Sequence, residues 1–255
     1  MRGLGYRKDL DDERDHRFSA RPKAGGPLPD LVDHSGSVPR VLDQGSTNSC
    51  VGHAWASALQ LGQIIDGNPS AELPSPLAIY SWARAEHGED RLDEGTYLRA
   101  AARAVQHFGF PSFGLWPTDA ARVNERPGPS VFRDAHDRRG LRGYQRVVFG
   151  DTESIRRALA GGSPVVFGTT IREGFFDVDG RSVIDHEGGA LAGGHAMAVV
   201  GYRWHESTKM FHYRWLNSWS AAWGDGGFCW VTENRMLLAQ DLWIADFDPS
   251  LPGVA

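Results

Sequence analysis

The chain has 255 residues, 41% of them hydrophobic and 23% charged, enough for a sizeable buried core and incompatible with wholesale disorder. Acidic residues outnumber lysine and arginine 32 to 27, a net charge of −5, so a chain-wide basic footprint for nucleic acid is absent. Two cysteines cannot build a disulfide framework, and no CxxC, HxxxH or HExxH spacing offers a zinc site. Residues 1–27 are polar and densely charged, with Ala-Gly-Gly-Pro at 24–27. They read as an extended head with no core of its own, and they leave no room for the apolar centre of a signal peptide. No uncharged apolar run reaches the roughly 18 residues of a membrane span. The expectation is therefore a soluble, cytoplasmic protein, with no membrane and no nucleic-acid partner.

After the turn cluster at 44–49, Val51, Ala54, Trp55, Ala58, Leu61 and Ile65 recur at three- and four-residue steps. That spacing predicts a helix from Cys50 to a stop at Gly67, capped by Asn48 or Ser49. A second helix is predicted at Ser75-Pro76, with serine as the cap and proline in the first turn. A third runs from Thr96 through Ala100, Ala101, Ala104 and Val105 to Gly109. Residues 110–146 read as irregular, and their basic cluster (Arg133, Arg138, Arg139, Arg142 and Arg146) as a solvated surface. A short helix at 154–160 leads into strand-like segments at 164–169, 195–202, 211–216, 228–231 and 242–245, each aromatic or β-branched and bounded by turns. Helices first and strands later predict an α+β fold in two lobes.

Cys50 stands where a helix begins, and there the unpaired N–H groups favour the thiolate, the nucleophilic form. Three blocks surround this residue in function. They are Gln44-Gly45-Ser46-Thr47-Asn48-Ser49-Cys50, then Gly194-His195-Ala196 through Gly201-Tyr202, then Asn217-Ser218-Trp219 followed by Trp223-Gly224-Asp225-Gly226-Gly227. Together they closely resemble the papain-like cysteine peptidases. His195 follows Cys50 by 145 positions, within the roughly 130–150 of that family, and Asn217 follows by 167. Leu28-Pro29-Asp30-Leu31-Val32-Asp33 also resembles the start of the mature enzyme, so the likeness covers residues 28 to about 247.

The resemblance implies a papain-like two-lobe fold. A helical lobe (about 45–120) and an antiparallel β-barrel-like lobe (about 140–250) make one peptidase domain, 28–255, with a cleft between them. It implies Cys50 as nucleophile, His195 as acid and base, Asn217 as orienter of the imidazole, and Gln44 in the oxyanion hole with the Cys50 N–H. Trp219 would shield the His–Asn bond, and Gly95, Gly194, Ala196 and Trp219 would contact a peptide or protein substrate. No cofactor or metal is implied. The ion pair is expected to pull the thiol far below its free pKa of about 8.5.

Departures from the family are specific. Val51-Gly52 stands where tryptophan usually follows the nucleophile, Gly194 where many members carry aspartate, and the family's extra cysteines are missing. The head is shorter than a full inhibitory proregion and resembles that of bacterial members. It is expected to lie along the cleft or to clamp the lobes. Two rival readings use the same residues, a catalytically silent binding or regulatory module and an acyl transferase. Cys229 is expected to be buried and inert, His53 to face the lobe interface or solvent, and Asp185-His186-Glu187 to be a solvated loop.

Overall fold

The computed structural model describes residues 2–18, 27–138 and 141–247. Arg139, residues 19–26 of the expected head and the last residues, 248–255, lie outside them.

Three helices pack together first. Helix α1 (Cys50–Ile65) is buried from Cys50 to Gln63, so it is a core helix and not a half-exposed one. It stops where Gly67 takes φ of 104°, a left-handed conformation that costs glycine nothing. Neither expected side chain caps its start. The Ser49 hydroxyl meets Thr47 Oγ1 at 2.6 Å and His53 Nδ1 at 3.1 Å, and Asn48 is engaged elsewhere. Helix α2 (Pro76–Ala85) begins as expected, with Ala78 N–H donating to Ser75 Oγ at 3.1 Å. Its first carbonyl presses on α1: a Cβ on Gly52 would come within 2.2 Å of Pro76 O. That approach accounts for Gly52. Trp55 lies in the core and donates from Nε1 to Leu98 O at 3.1 Å, tying α1 to helix α3 (Leu98–Phe108).

Helix α3 starts two residues later than its sequence spacing predicts. Thr96–Tyr97 form a short strand, β3, paired in parallel with β1 (Tyr6–Arg7) of the head. Residues 110–146 are more regular than expected. They contain helix α4 (Pro129–Asp137) and strand β4 (Leu141–Arg146). Only Val131 and Ala135 of α4 are buried, too few apolar positions for the helical period to be visible. The basic cluster is also less solvated than expected. Arg138 pairs with Glu72 and Asp134, Arg142 with Asp246, and Arg146 with Asp15 and Asp241.

The remaining strands are β2 (Leu31–Asp33), β5 (Val165–Arg172), β6 (Val183–Ile184), β7 (Leu191–His205), β8 (Met210–Leu216), β9 (Phe228–Thr232) and β10 (Asp241–Phe247). Helix α5 (Thr152–Ala160) precedes β5 and a one-turn α6 (Glu233–Met236) follows β9. The sheet runs β4-β10-β5-β7-β8-β9-β6, with β2 pairing β7. All its pairs are antiparallel except β6 with β9. Its two ends do not meet, so among the described residues the sheet is open and not a closed barrel. One face, with Val166, Ala196, Ala198 and Trp243, packs with α1. The other carries an aromatic core of Phe167, Phe175, Trp215, Trp219 and Trp223. No helix among the described residues is long and apolar enough to cross a membrane.

Candidate active site

Cys50 is the first residue of α1 and is fully buried, and both cysteines are free. Backbone N–H groups of Gly5, Ala196 and Val51 face its sulfur. Ala196 follows His195 in β7, so the start of α1 and the middle of the long strand meet at the thiol. His195 Nε2 lies 2.8 Å from Asn217 Oδ1, just beyond β8. That same Oδ1 accepts the Ser218 backbone N–H at 2.7 Å, which sets the amide orientation. An acceptor oxygen requires His195 Nε2 to be the donor. Nδ1 is then the bare nitrogen of the neutral ring, and it is buried with no protein partner. Trp219 stacks on the imidazole, centroids 4.7 Å apart and 26° between planes, and keeps water from one face.

Gln44 is fixed with equal clarity. Its Nε2 donates to Thr47 O at 2.8 Å and Gly3 O at 3.1 Å, both obligate acceptors. Its Oε1 therefore receives the Ser218 hydroxyl, at 2.7 Å. Ser218 was visible in the sequence beside Asn217 but carried no assigned role; only the fold shows that it holds Gln44. In a chain whose cleft is open, Ser218→Ala should lower kcat for peptide cleavage about three- to tenfold with KM little changed. That is a fraction of the 10²–10³ typical for deleting an oxyanion donor outright. An equal rise in KM would instead assign Ser218 to substrate binding.

The head fills the space between these residues. Gly3 N–H donates to Gly45 O at 3.3 Å, Leu4 N–H to Asn48 Oδ1 at 3.0 Å, and Gly5 N–H to Cys50 Sγ at 3.4 Å. Asn48 is thus spent on the head instead of the helix start. Gly5 O accepts Thr96 N–H at 2.8 Å. The glycines expected to contact substrate contact the head: a Cβ on Gly95 would lie 2.1 Å from Gly5 O, and one on Gly194 2.2 Å from Tyr6 O. Ala196 and Trp219 are both fully buried.

Beyond the cleft a buried ionic cluster anchors the head. Tyr6 OH and Asp9 N–H both donate to Asp241 Oδ2, Trp243 Nε1 donates to Asp9 Oδ2 at 2.9 Å, and Arg99 N–H reaches the Asp9 carboxylate. Asp15 bridges Arg99 and Arg146 at 2.9 and 3.0 Å.

Burial sets the electrostatics. It pushes the Cys50 thiol up to about 11, against the facing N–H groups, and takes His195 down to about 4. Both shifts favour the neutral forms, opposite in direction to the lowered thiol expected from the sequence. The physical reason is the head: with the cleft covered, a thiolate–imidazolium pair would be formed away from water. Asp9 is raised to about 6, by burial first and then by the neighbouring Asp241. A docked pKa above the ordinary 3.8 means that Asp9 favours docking fully below that value and loses the benefit as pH rises through about 6. Asp9→Asn, which mimics the protonated form, should therefore match the wild type in Tm only near pH 3. Near pH 8 it should exceed it by a few degrees, and equal Tm at both values would show that Asp9 does not titrate in the docked head.

Other candidates resolve into structure. His53 is buried, not at solvent, between Ser49 O (2.9 Å) and Thr118 Oγ1 (3.0 Å). Cys229 is buried in β9, which pushes its thiol up. Glu187 is not solvated: it forms a buried 2.7 Å pair with Arg235, while Asp185 accepts from Thr232. Among the described residues no group of three His, Cys, Asp or Glu side chains is placed to hold a metal ion.

An α+β chain with a cysteine at a helix start and a histidine on the facing strand has the architecture of the papain-like cysteine-type hydrolases. Residues 28–242 match the papain family of cysteine proteases, and the chain belongs to that family. It is 28% identical to xylellain, a cysteine protease from Xylella fastidiosa, with a TM-score of 0.85 over 96% of each chain. It is 27% identical to an uncharacterized peptidase C1-like protein of Acanthamoeba polyphaga mimivirus over 95% of this chain and 86% of that protein. With mouse (Mus musculus) cathepsin K it shares 26% identity over 84% of this chain and 63% of the cathepsin.

Proposed function

We propose that this chain hydrolyses peptide bonds through an acyl-enzyme on Cys50, and that its own head keeps the site silent until displaced. The observation that carries the reading is the His195–Asn217 pair, whose geometry leaves Nδ1 as a bare base on the strand that meets the Cys50 sulfur. With the head gone, Nδ1 takes the thiol proton and Sγ attacks the substrate carbonyl carbon. The carbonyl oxygen becomes an oxyanion and accepts from Gln44 Nε2 and the Cys50 N–H. Collapse expels the amine, protonated by His195, and leaves the acyl group on sulfur. Water, deprotonated at the same nitrogen, then releases the acid.

Two contacts suit the head to block this sequence without being consumed by it. The Gly3 carbonyl already accepts from Gln44 Nε2, the donor meant for the oxyanion. Toward the sulfur the head presents the Gly5 N–H, so the nucleophile meets a hydrogen-bond donor.

The test is to incubate a defined peptide mixture with the full chain after the head has been loosened, and to weigh the products with and without an added amine. Products one water heavier than the cleaved bond support hydrolysis. Amine adducts would make the protein an acyl transferase. Intact peptides, despite a freely alkylated Cys50, would leave a binding or regulatory module.

A further inference from the structure

Helix α1 begins without a side-chain cap, and the turn that carries Gln44 and the Cys50 N–H is held in another way. Thr47 Oγ1 donates to Gln44 O at 2.8 Å, since a carbonyl can only accept. Its single hydrogen is spent there, so in the 2.6 Å contact with Ser49 Oγ the serine is the donor. His53 Nδ1 lies 2.9 Å from Ser49 O, another obligate acceptor, and 3.1 Å from Ser49 Oγ, so Nδ1 carries the proton of the neutral ring. Nε2 is then the bare nitrogen and accepts the Thr118 hydroxyl at 3.0 Å. Every bond from Thr118 through His53, Ser49 and Thr47 to the Gln44 carbonyl therefore has a fixed direction. The outer end is anchored on α2, because its cap Ser75 also donates from Oγ to Trp116 O at 2.5 Å, two residues before Thr118.

We propose that His53 is a positioning residue for the oxyanion hole, its neutral ring donating to Ser49 and accepting from Thr118. The assignment rests on the peptidase reading above and gives a role to a residue which that reading leaves idle. Ser49 O and the Cys50 N–H belong to one peptide plane, so a second donor on the carbonyl, beside the His53 backbone N–H at 3.1 Å, aims the N–H on its other side. The other oxyanion donor hangs on the same turn, since Gln44 Nε2 is tied to Thr47 O at 2.8 Å and the Gln44 carbonyl to Thr47 Oγ1. Slack at Ser49 thus reaches both donors. Full burial takes His53 down to about 4, which favours the neutral ring, and a charge there would oppose the imidazolium that His195 must become. An apolar ring would fill the same space and supply neither bond.

The experiment uses the full chain carrying Gly3→Ala and Gly5→Ala, taken forward when alkylation shows that Cys50 is uncovered. Two rates are compared in each variant: kcat for one cleaved peptide, which needs the oxyanion hole, and alkylation of Cys50 by iodoacetamide, a displacement that develops no oxyanion. His53→Phe should lower kcat roughly tenfold, with KM and the alkylation rate little changed. His53→Asn places an amide N–H where Nδ1 stands and should recover most of that loss. His53→Gln carries its amide out to the place of Nε2, leaves Ser49 O without the second donor, and should not recover it. The Asn and Gln variants keep the comparison alive if His53→Phe fails to fold. Unchanged kcat in His53→Phe, equal turnover by the Asn and Gln variants, or a fall in kcat matched by an equal fall in alkylation overturns the role of His53 and leaves the peptidase reading standing. No cleavage of any peptide by the parent chain, with its Cys50 freely alkylated, overturns that reading and the role of His53 with it.

Discussion

Cys50→Ala in the head-loosened chain should lower peptide hydrolysis by at least about 10⁴-fold, and His195→Ala by a similar factor. The two residues act as one unit, so losing either removes nearly all that the pair contributes, and the double variant should be little worse than either single one. Asn217→Ala should cost less, because it removes the group that sets the tautomer and leaves nucleophile and base in place. At Cys50, alanine leaves only a small void and keeps the first turn of α1, so the fold should be retained. Steady-state kinetics with one peptide, alongside Tm for each variant, checks the series. Full turnover by Cys50→Ala would remove the thiol mechanism entirely.

The second large effect concerns access. Gly3 and Gly5 lie so close to the 47–48 backbone that a Cβ on Gly3 would sit 1.9 Å from Thr47 O, and one on Gly5 1.8 Å from Asn48 O. Neither neighbour is a flexible side-chain tip that can swing away. Substituting both with alanine should unseat the head over the thiol and raise the rate of Cys50 alkylation roughly a hundredfold, since two backbone clashes of about 1–3 kcal/mol each bracket the roughly 2.8 kcal/mol that this factor requires. Cys229, buried in β9, is an internal control and should stay unlabelled. The pH profile should move as well. Uncovering the cleft returns water to Cys50 and His195, so the thiol should fall from about 11 and the imidazole rise from about 4, toward an ion pair that labels below pH 8. His195→Ala in the same background should abolish that low-pH labelling. Equal alkylation of the parent and the double-alanine chain would mean that the head does not guard the site.

Much of the fold was legible in local text. Ser75-Pro76 announces α2 because a cap and a first-turn proline act within one helical turn. The three- and four-residue recurrence after Cys50 announces α1, and Gly67 and Gly109 stop helices by a backbone angle that belongs to the residue itself. Strands β7, β8 and β9 stand out as β-branched and aromatic runs. Helix α4 and strand β4 did not, since α4 buries only two side chains and β4 is written in arginines whose partners lie far along the chain.

The sequence by itself determined the candidate catalytic residues, because the chemistry depends on residue type and the order of three short blocks carries it. Tertiary structure decided what state those residues are in. Gly5 reaches Cys50 across 45 positions, Ser218 reaches Gln44 across 174, and Tyr6 reaches Asp241 across 235. No local rule links such pairs. Burial and solvation belong to the assembled cleft, and there the covered site pushes the thiol up where the sequence leads one to expect it lowered.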